Sequence, residues 1–268
     1  MLEPFEDALG PVIAGDGEGE TPAPLPDLGP IVTSLGELPA VPVAGVVLAN
    51  ELLDNLPFRV VERSADGWSE VRVGVSGDTF EEDLVPAAPD LAAEADHVAS
   101  GDVPAGTRLP VPTGAHDWLQ SCAFVLQGGV LVVIDYLATA AELVERGEHG
   151  WLRTYRDHRR GASPLVGPGE QDITADVPLE YLVNAASGAG LTLRRDCTQA
   201  EWLRELGIDE LVADAREQWD ARAHIGDLEA VRHRSRVTEA AALLDPSGLG
   251  AHRVLVFQAA DLQSTRIA

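Results

Sequence analysis

Two short apolar runs, each closing on polar and acidic residues, constrain what this chain can fold into. GVVLAN, Gly45 to Asn50, is rich in β-branched residues and runs into Glu51-Leu52-Leu53-Asp54-Asn55-Leu56-Pro57. VLVVIDY, Val130 to Tyr136, has the same character and closes on Asp135-Tyr136. Apolar residues without alternation mark strands buried on both faces, as in a parallel sheet covered by helices. FRVVERSADGWSEVRVGV, Phe58 to Val75, predicts a hairpin around Ala65-Asp66-Gly67. Gly114 to Leu126 predicts a helix with Trp118, Leu119, Cys122 and Val125 on one face, stopped by Gly128-Gly129. Further helices are expected over Ala138 to Arg146, Leu179 to Ala189, Gln199 to Leu206, Glu210 to Ala223 and Leu228 to Leu244, with short strands at Leu191 to Asp196 and Arg253 to Ala259. Residues 78 to 112 read as loop with a strand or two of no fixed place. Trp151 to Asp176 is a polar stretch without periodicity. Strands alternating with helices predict an α/β fold, a doubly wound and mostly parallel sheet with helices on both faces.

A length of 268 residues with 45% apolar content suits one large α/β domain. Residues 1 to 44, rich in Gly, Pro and acids, read as a linker leading into a body over 45 to 268. The start MLEPFEDALG has neither a basic nor an apolar signal region, and no apolar run reaches the length of a membrane span, so a cytoplasmic location without membrane contact is expected. Cys122 and Cys197 have no metal-ligand spacing and read as free thiols; the histidines show no ligand spacing either, so no metal is expected. All 19 basic residues are arginine, which excludes a Schiff-base lysine and the lysine of a P-loop. A net charge of −25 repels phosphate backbones, so nucleic acid is not an expected partner. That field suits a cationic partner or cofactor, or serves solubility alone.

Ligands of open α/β sheets bind outside the carboxyl ends of the strands, which points to the two acidic tips. Glu51 and Asp54 stand three apart and would share a face on a helical turn, where two carboxylates can fork a guanidinium or divide holding and proton acceptance. The same pattern also describes a helix start, with Asn50 as N-cap and the two acids facing the dipole. Asp135 is equally a loop cap, and Tyr136 a core aromatic with its hydroxyl at the rim. His158, in an arginine-rich stretch, reads as exposed. Gly15-Asp16-Gly17-Glu18-Gly19 has the form of a nucleotide-binding loop, but Pro22, Pro24 and Pro26 forbid the helix that should follow it, so it reads as an acidic linker.

Four separated blocks resemble one family in order. ANELLDNLPFRVVE (Ala49 to Glu62) is similar to the block after its fourth strand. LQGGVLVVIDY (Leu126 to Tyr136) resembles the passage into its fifth strand. WLRTYRDHRRGASPLVGPGEQDITADV (Trp151 to Val177) is similar to its long insertion, and TQAEWLRELGI (Thr198 to Ile208) to the segment that follows. The family is the MidA-like methyltransferases, which includes a mitochondrial arginine methyltransferase of a respiratory complex I subunit.

The resemblance implies a Rossmann-like class I fold, S-adenosylmethionine as methyl donor, and a protein side chain such as arginine as acceptor. It implies that Asn50, Glu51 and Asp54 border the reaction centre, with Asn50, Glu51, Ser34 and Leu35 on the cofactor. Asp135 and Tyr136 would line the acceptor side, and Gly169, Asp172 and Thr174 would shape a lid within an insertion of about 138 to 178. Family members carry a first strand and glycine-rich cofactor loop upstream. This chain is expected to begin near the second strand, with 1 to 44 a remnant of the same domain. Leu137 also departs from the small residue usual after Asp-Tyr. A non-catalytic assembly or protein-binding module that kept the scaffold is the alternative.

Overall fold

The computed structural model describes residues 34–157 and 159–260. The glycine-rich Gly15 to Gly19 stretch, Ile31 to Thr33 and His158 lie outside them. The chain opens with β1 (Val43–Asn50) and a 3-10 turn (Leu53–Asn55), then the strands β2 (Arg59–Ser64), β3 (Gly67–Ser76) and β4 (Thr79–Pro86). Helix α1 (Pro89–Ala99), β5 (Arg108–Val111), α2 (Thr113–Val125), β6 (Leu126–Asp135) and β7 (Leu137–Ala138) follow. The insertion holds α3 (Ala140–Arg146), α4 (Glu148–Trp151), β8 (Leu152–Arg156), β9 (Arg159–Arg160), β10 (Asp172–Ala175) and β11 (Val177–Pro178). Then come α5 (Leu179–Gly188), β12 (Leu191–Thr198), α6 (Gln199–Glu205), α7 (Ile208–Arg222), α8 (Leu228–Leu243), a 3-10 turn (Leu249–Ala251) and β13 (Arg253–Ala259).

The central sheet has the order β1-β6-β13-β12. β1 and β6 are parallel, with Asn50 opposite Ile134. β13 runs antiparallel to both β6 and β12. The mostly parallel sheet expected from the sequence is therefore corrected to a mixed one. The cause is the last connection: Thr198 at the end of β12 pairs with Arg253 at the start of β13. Helices α6 to α8 thus leave and return at the same end of the sheet, and a strand entering there must run back.

One face of this sheet packs Leu131, Val133, Leu255 and Phe257 against Leu119 and Cys122 of α2 and Leu182 of α5. On the other face Val132, Ile134 and Val254 meet Trp202 of α6. Val46 and Leu48 of β1 point to that second side and stay 67% and 61% exposed, so helical cover there is incomplete among the described residues. A second, antiparallel sheet of order β4-β3-β2-β5 is tied by Trp68, Leu109 and Val61 to Leu91 and Val98 of α1, Leu143 of α3 and Trp151.

Gly128-Gly129 do not stop α2 and initiate β6; they sit inside β6. At Gly129, with φ near +114°, a Cβ would lie 2.0 Å from the Gly45 carbonyl oxygen, so glycine lets the two strands close. The structure also places a helix, α1, in the stretch read as loop. Pro89 opens it and Leu91, Ala95 and Val98 form its buried stripe. The polar insertion folds as a small sheet in which β8 pairs with β10 and β9. Among the described residues no helix is long and apolar enough to cross a membrane.

Candidate active site

The two strand tips lie side by side, joined by backbone amides and the Asp135 carboxylate, but of the two only the β6 tip lines the cavity they were expected to share. Glu51 N–H donates to the Ile134 carbonyl at 2.9 Å, extending the β1–β6 ladder by one rung. The chain then turns at Glu51, which adopts a left-handed φ of +48°. That turn aims the amides of Leu52 and Leu53 at Asp135 Oδ2, at 3.1 and 2.8 Å, while Tyr136 N–H donates to Oδ1 at 2.8 Å. Asp135 is fully buried, so its carboxylate brackets the two tips together. Burial pushes its pKa above the ordinary value, against the pull of those amides. Glu51 and Asp54 do not share a helical face, and Asn50 is no N-cap: the 3-10 turn begins after Leu52.

Asp54, 3% exposed, accepts from Asn55 Nδ2 at 2.7 Å. Burial, the charge of Asp135 and then that of Glu51 raise it to about 6, against the pull of Arg153 and its own backbone amide. A carboxyl titrating there can hold a cation or accept a proton near neutral pH.

Beyond Asp135 opens a cavity of about 490 Å³, within the range of small-ligand sites. Tyr136 lies on its wall with His252, the residue before β13, and their rings meet edge-on at 4.2 Å between centroids. His252 Nδ1 stands 3.9 Å from Glu51 Oε1. The insertion contributes Arg146, Arg153 and Asp176. Asp176 pairs with Arg146 Nη1 at 2.7 Å and with Arg153, whose guanidinium lies 5.2 Å over the Tyr136 ring. The last 3-10 turn and its approach, Ser247 to Leu249, line the far side.

The structure thus brings Glu51 and Asp54 next to Asp135 and Tyr136, although only Asp135 and Tyr136 line the cavity. Asn50 is exposed at the end of β1, and Ser34 and Leu35 are exposed in the segment before it, none of them lining the cavity. Gly169 and Asp172 are exposed and Thr174 is half-buried on β10; the cavity takes Arg153 and Asp176 from the insertion instead. His252, Arg146, Arg153 and Asp176 went unseen in the sequence. A usable signal existed for Asp176 alone, an acid within Ala175-Asp176-Val177, an apolar context that demands a partner. The acidic tips fit the positively charged sulfonium of S-adenosylmethionine. The adenosine end would need a strand, glycine turn and helix in series, and no such unit occurs among the described residues.

The chain is similar to known methyltransferases. Residues 26–196 match a family model described as "Putative S-adenosyl-L-methionine-dependent methyltransferase". The chain is 26% identical over 164 residues to the mitochondrial protein arginine methyltransferase NDUFAF7 of Xenopus tropicalis, covering 60% of this chain and 36% of that protein. It is 29% identical over 169 residues to the Homo sapiens counterpart, covering 60% and 35%. A Burkholderia thailandensis crystal structure bound to S-adenosyl-homocysteine superposes with a TM-score of 0.69 at 28% identity, over 85% of this chain and 56% of that one. A second, native structure from that organism gives a TM-score of 0.71 at 28% identity, over 85% and 58%. The chain therefore spans little more than a third of the curated relatives. These matches favour the enzyme over a non-catalytic module. The chain belongs to the MidA-like family of S-adenosylmethionine-dependent methyltransferases.

Proposed function

We propose that this chain supplies the reaction centre and acceptor side of a methyltransferase that modifies a nitrogen of a protein side chain, arginine above others. The observation that carries it is the pairing of two acidic strand tips beside a cavity walled by Tyr136 and His252. In this reading the central sheet is half of a class I Rossmann-like sheet, the body runs over 45 to 268, and the 138 to 178 insertion is a lid.

The methyl donor, when bound, supplies an electrophilic carbon on a positive sulfur. The residues of the chain do the rest. Glu51 and Asp54 favour that positive charge and orient an incoming nitrogen, and Asp54 receives the proton the nitrogen gives up. Positioning and charge carry the rate, because no covalent intermediate on the protein is needed.

The test is calorimetry with S-adenosylhomocysteine on this chain alone and on the chain extended by upstream sequence of its family. The extended form should bind in the micromolar range and this chain at least tenfold more weakly. Equal, tight binding by both would overturn the assignment of the adenosine cradle to upstream sequence.

A further inference from the structure

Arg153 makes, within the cavity, the two contacts by which proteins recognise a guanidinium: an aromatic face and a buried carboxylate. Its guanidinium lies 5.2 Å over the Tyr136 ring and pairs with Asp176, whose side chain is only 4% exposed. Arg153 belongs to β8 of the insertion, while Tyr136 directly follows β6 of the central sheet, so the contact joins two separately built parts of the fold.

The cradle is more elaborate than one internal ion pair requires. Asp176 also holds Arg146 at 2.7 Å, so its charge remains compensated when Arg153 leaves. Edge-on packing of His252 fixes the Tyr136 ring. His252 is itself 6% exposed, and its Nδ1 has no hydrogen-bond partner although it lines the cavity. A buried, unpartnered nitrogen at a ligand-sized hollow marks a polar contact that an occupant completes.

We infer that Tyr136 and Asp176 form a guanidinium cradle occupied by the chain's own Arg153 until an arginine-bearing ligand displaces it. This deepens the acceptor-side reading above and rests on it. The planar fork of a guanidinium matches a carboxylate and stacks on a ring; a compact, strongly hydrated ammonium does neither as well. The cradle therefore selects arginine over lysine, and Arg153 sets the threshold for entry.

The experiment uses the full chain with two probes, N-acetyl-arginine methylamide and N-acetyl-lysine methylamide, titrated by NMR. Arg153→Ala should bind the arginine probe at least tenfold more tightly than the wild type, and the lysine probe at least tenfold more weakly than the arginine one. Adding Asp176→Asn should abolish the gain. Where the alanine variant folds poorly, Arg153→Met keeps the packed stem and is read the same way. Arginine-probe affinity unchanged by loss of the Arg153 guanidinium, or equal binding of both probes, overturns the inference. Because no methyl donor is present, either result leaves the calorimetric test of the cofactor reading intact.

Discussion

Glu51 is held in a left-handed backbone conformation that costs a non-glycine residue about 1 kcal/mol or more. Glu51→Gly should therefore stabilise the fold by roughly 1 kcal/mol in urea denaturation while weakening cation affinity at the site. No stability gain would show that the turn is unstrained. Asp54 gives a second residue-scale expectation. Its pKa is 3.8 in the unfolded reference and about 6 in the fold, so the folded state binds more protons between those values. Its stabilising contribution is complete below about pH 4 and is lost as pH rises through about 6, an effect on the order of 2–3 kcal/mol. Between about pH 4 and 7 the urea midpoint of the wild type should fall with pH relative to that of Asp54→Asn. Asp135 shifts in the same direction as Asp54, and Glu142, Glu201, Asp227 and Asp245 shift in the opposite one. An identical slope in the variant would contradict the raised value.

At the scale of elements, β1 and β6 were legible as strands from their unbroken β-branched runs, but only β6 is buried on both faces as expected, since β1 leaves Val46 and Leu48 exposed. Their acidic ends followed from the rule for open sheets. The hairpin around Asp66 was legible from its turn residues. What the sequence hid has physical causes. Helix α1 lay among prolines, one of which, Pro89, begins the helix. Gly128-Gly129 resemble a helix stop, yet they serve a close strand approach that depends on Gly45, distant in sequence. Gly129→Ala should cost at least about 2 kcal/mol by thermal unfolding, because the added Cβ meets backbone at an unfavourable φ. A neutral substitution would place the strands farther apart. The outer side of β1 is also apolar and uncovered among the described residues, with Val46 and Leu48 exposed. Such an edge strand invites pairing. Sedimentation should show concentration-dependent association that Val46→Glu with Leu48→Glu reduces; unchanged association would place the contact elsewhere.

For the whole molecule, the site assembles residues from four parts of the chain, one of them the insertion with Arg146, Arg153 and Asp176. Glu51 and Asp54 follow β1, Asp135 ends β6 with Tyr136 just after it, and His252 precedes β13. The first two sets carried a local signature, apolar strand then acid. His252 did not: it reaches the site because β13 runs antiparallel and so begins where β6 ends, with Arg253 opposite Asp135. Arg153 and Asp176 were hidden likewise, since an insertion without periodicity gives no hint of which residues fold inward. A formal charge of −25 favours cationic ligands over anionic ones in general.

The most direct measurement is transfer of a labelled methyl group from S-adenosylmethionine to protein acceptor by the upstream-extended chain, with Glu51→Ala and Asp54→Ala alongside. Incorporation should fall about 100-fold or more in each variant, with S-adenosylhomocysteine affinity kept within about tenfold. Transfer at the wild-type rate in either variant would contradict the roles assigned to the two carboxylates.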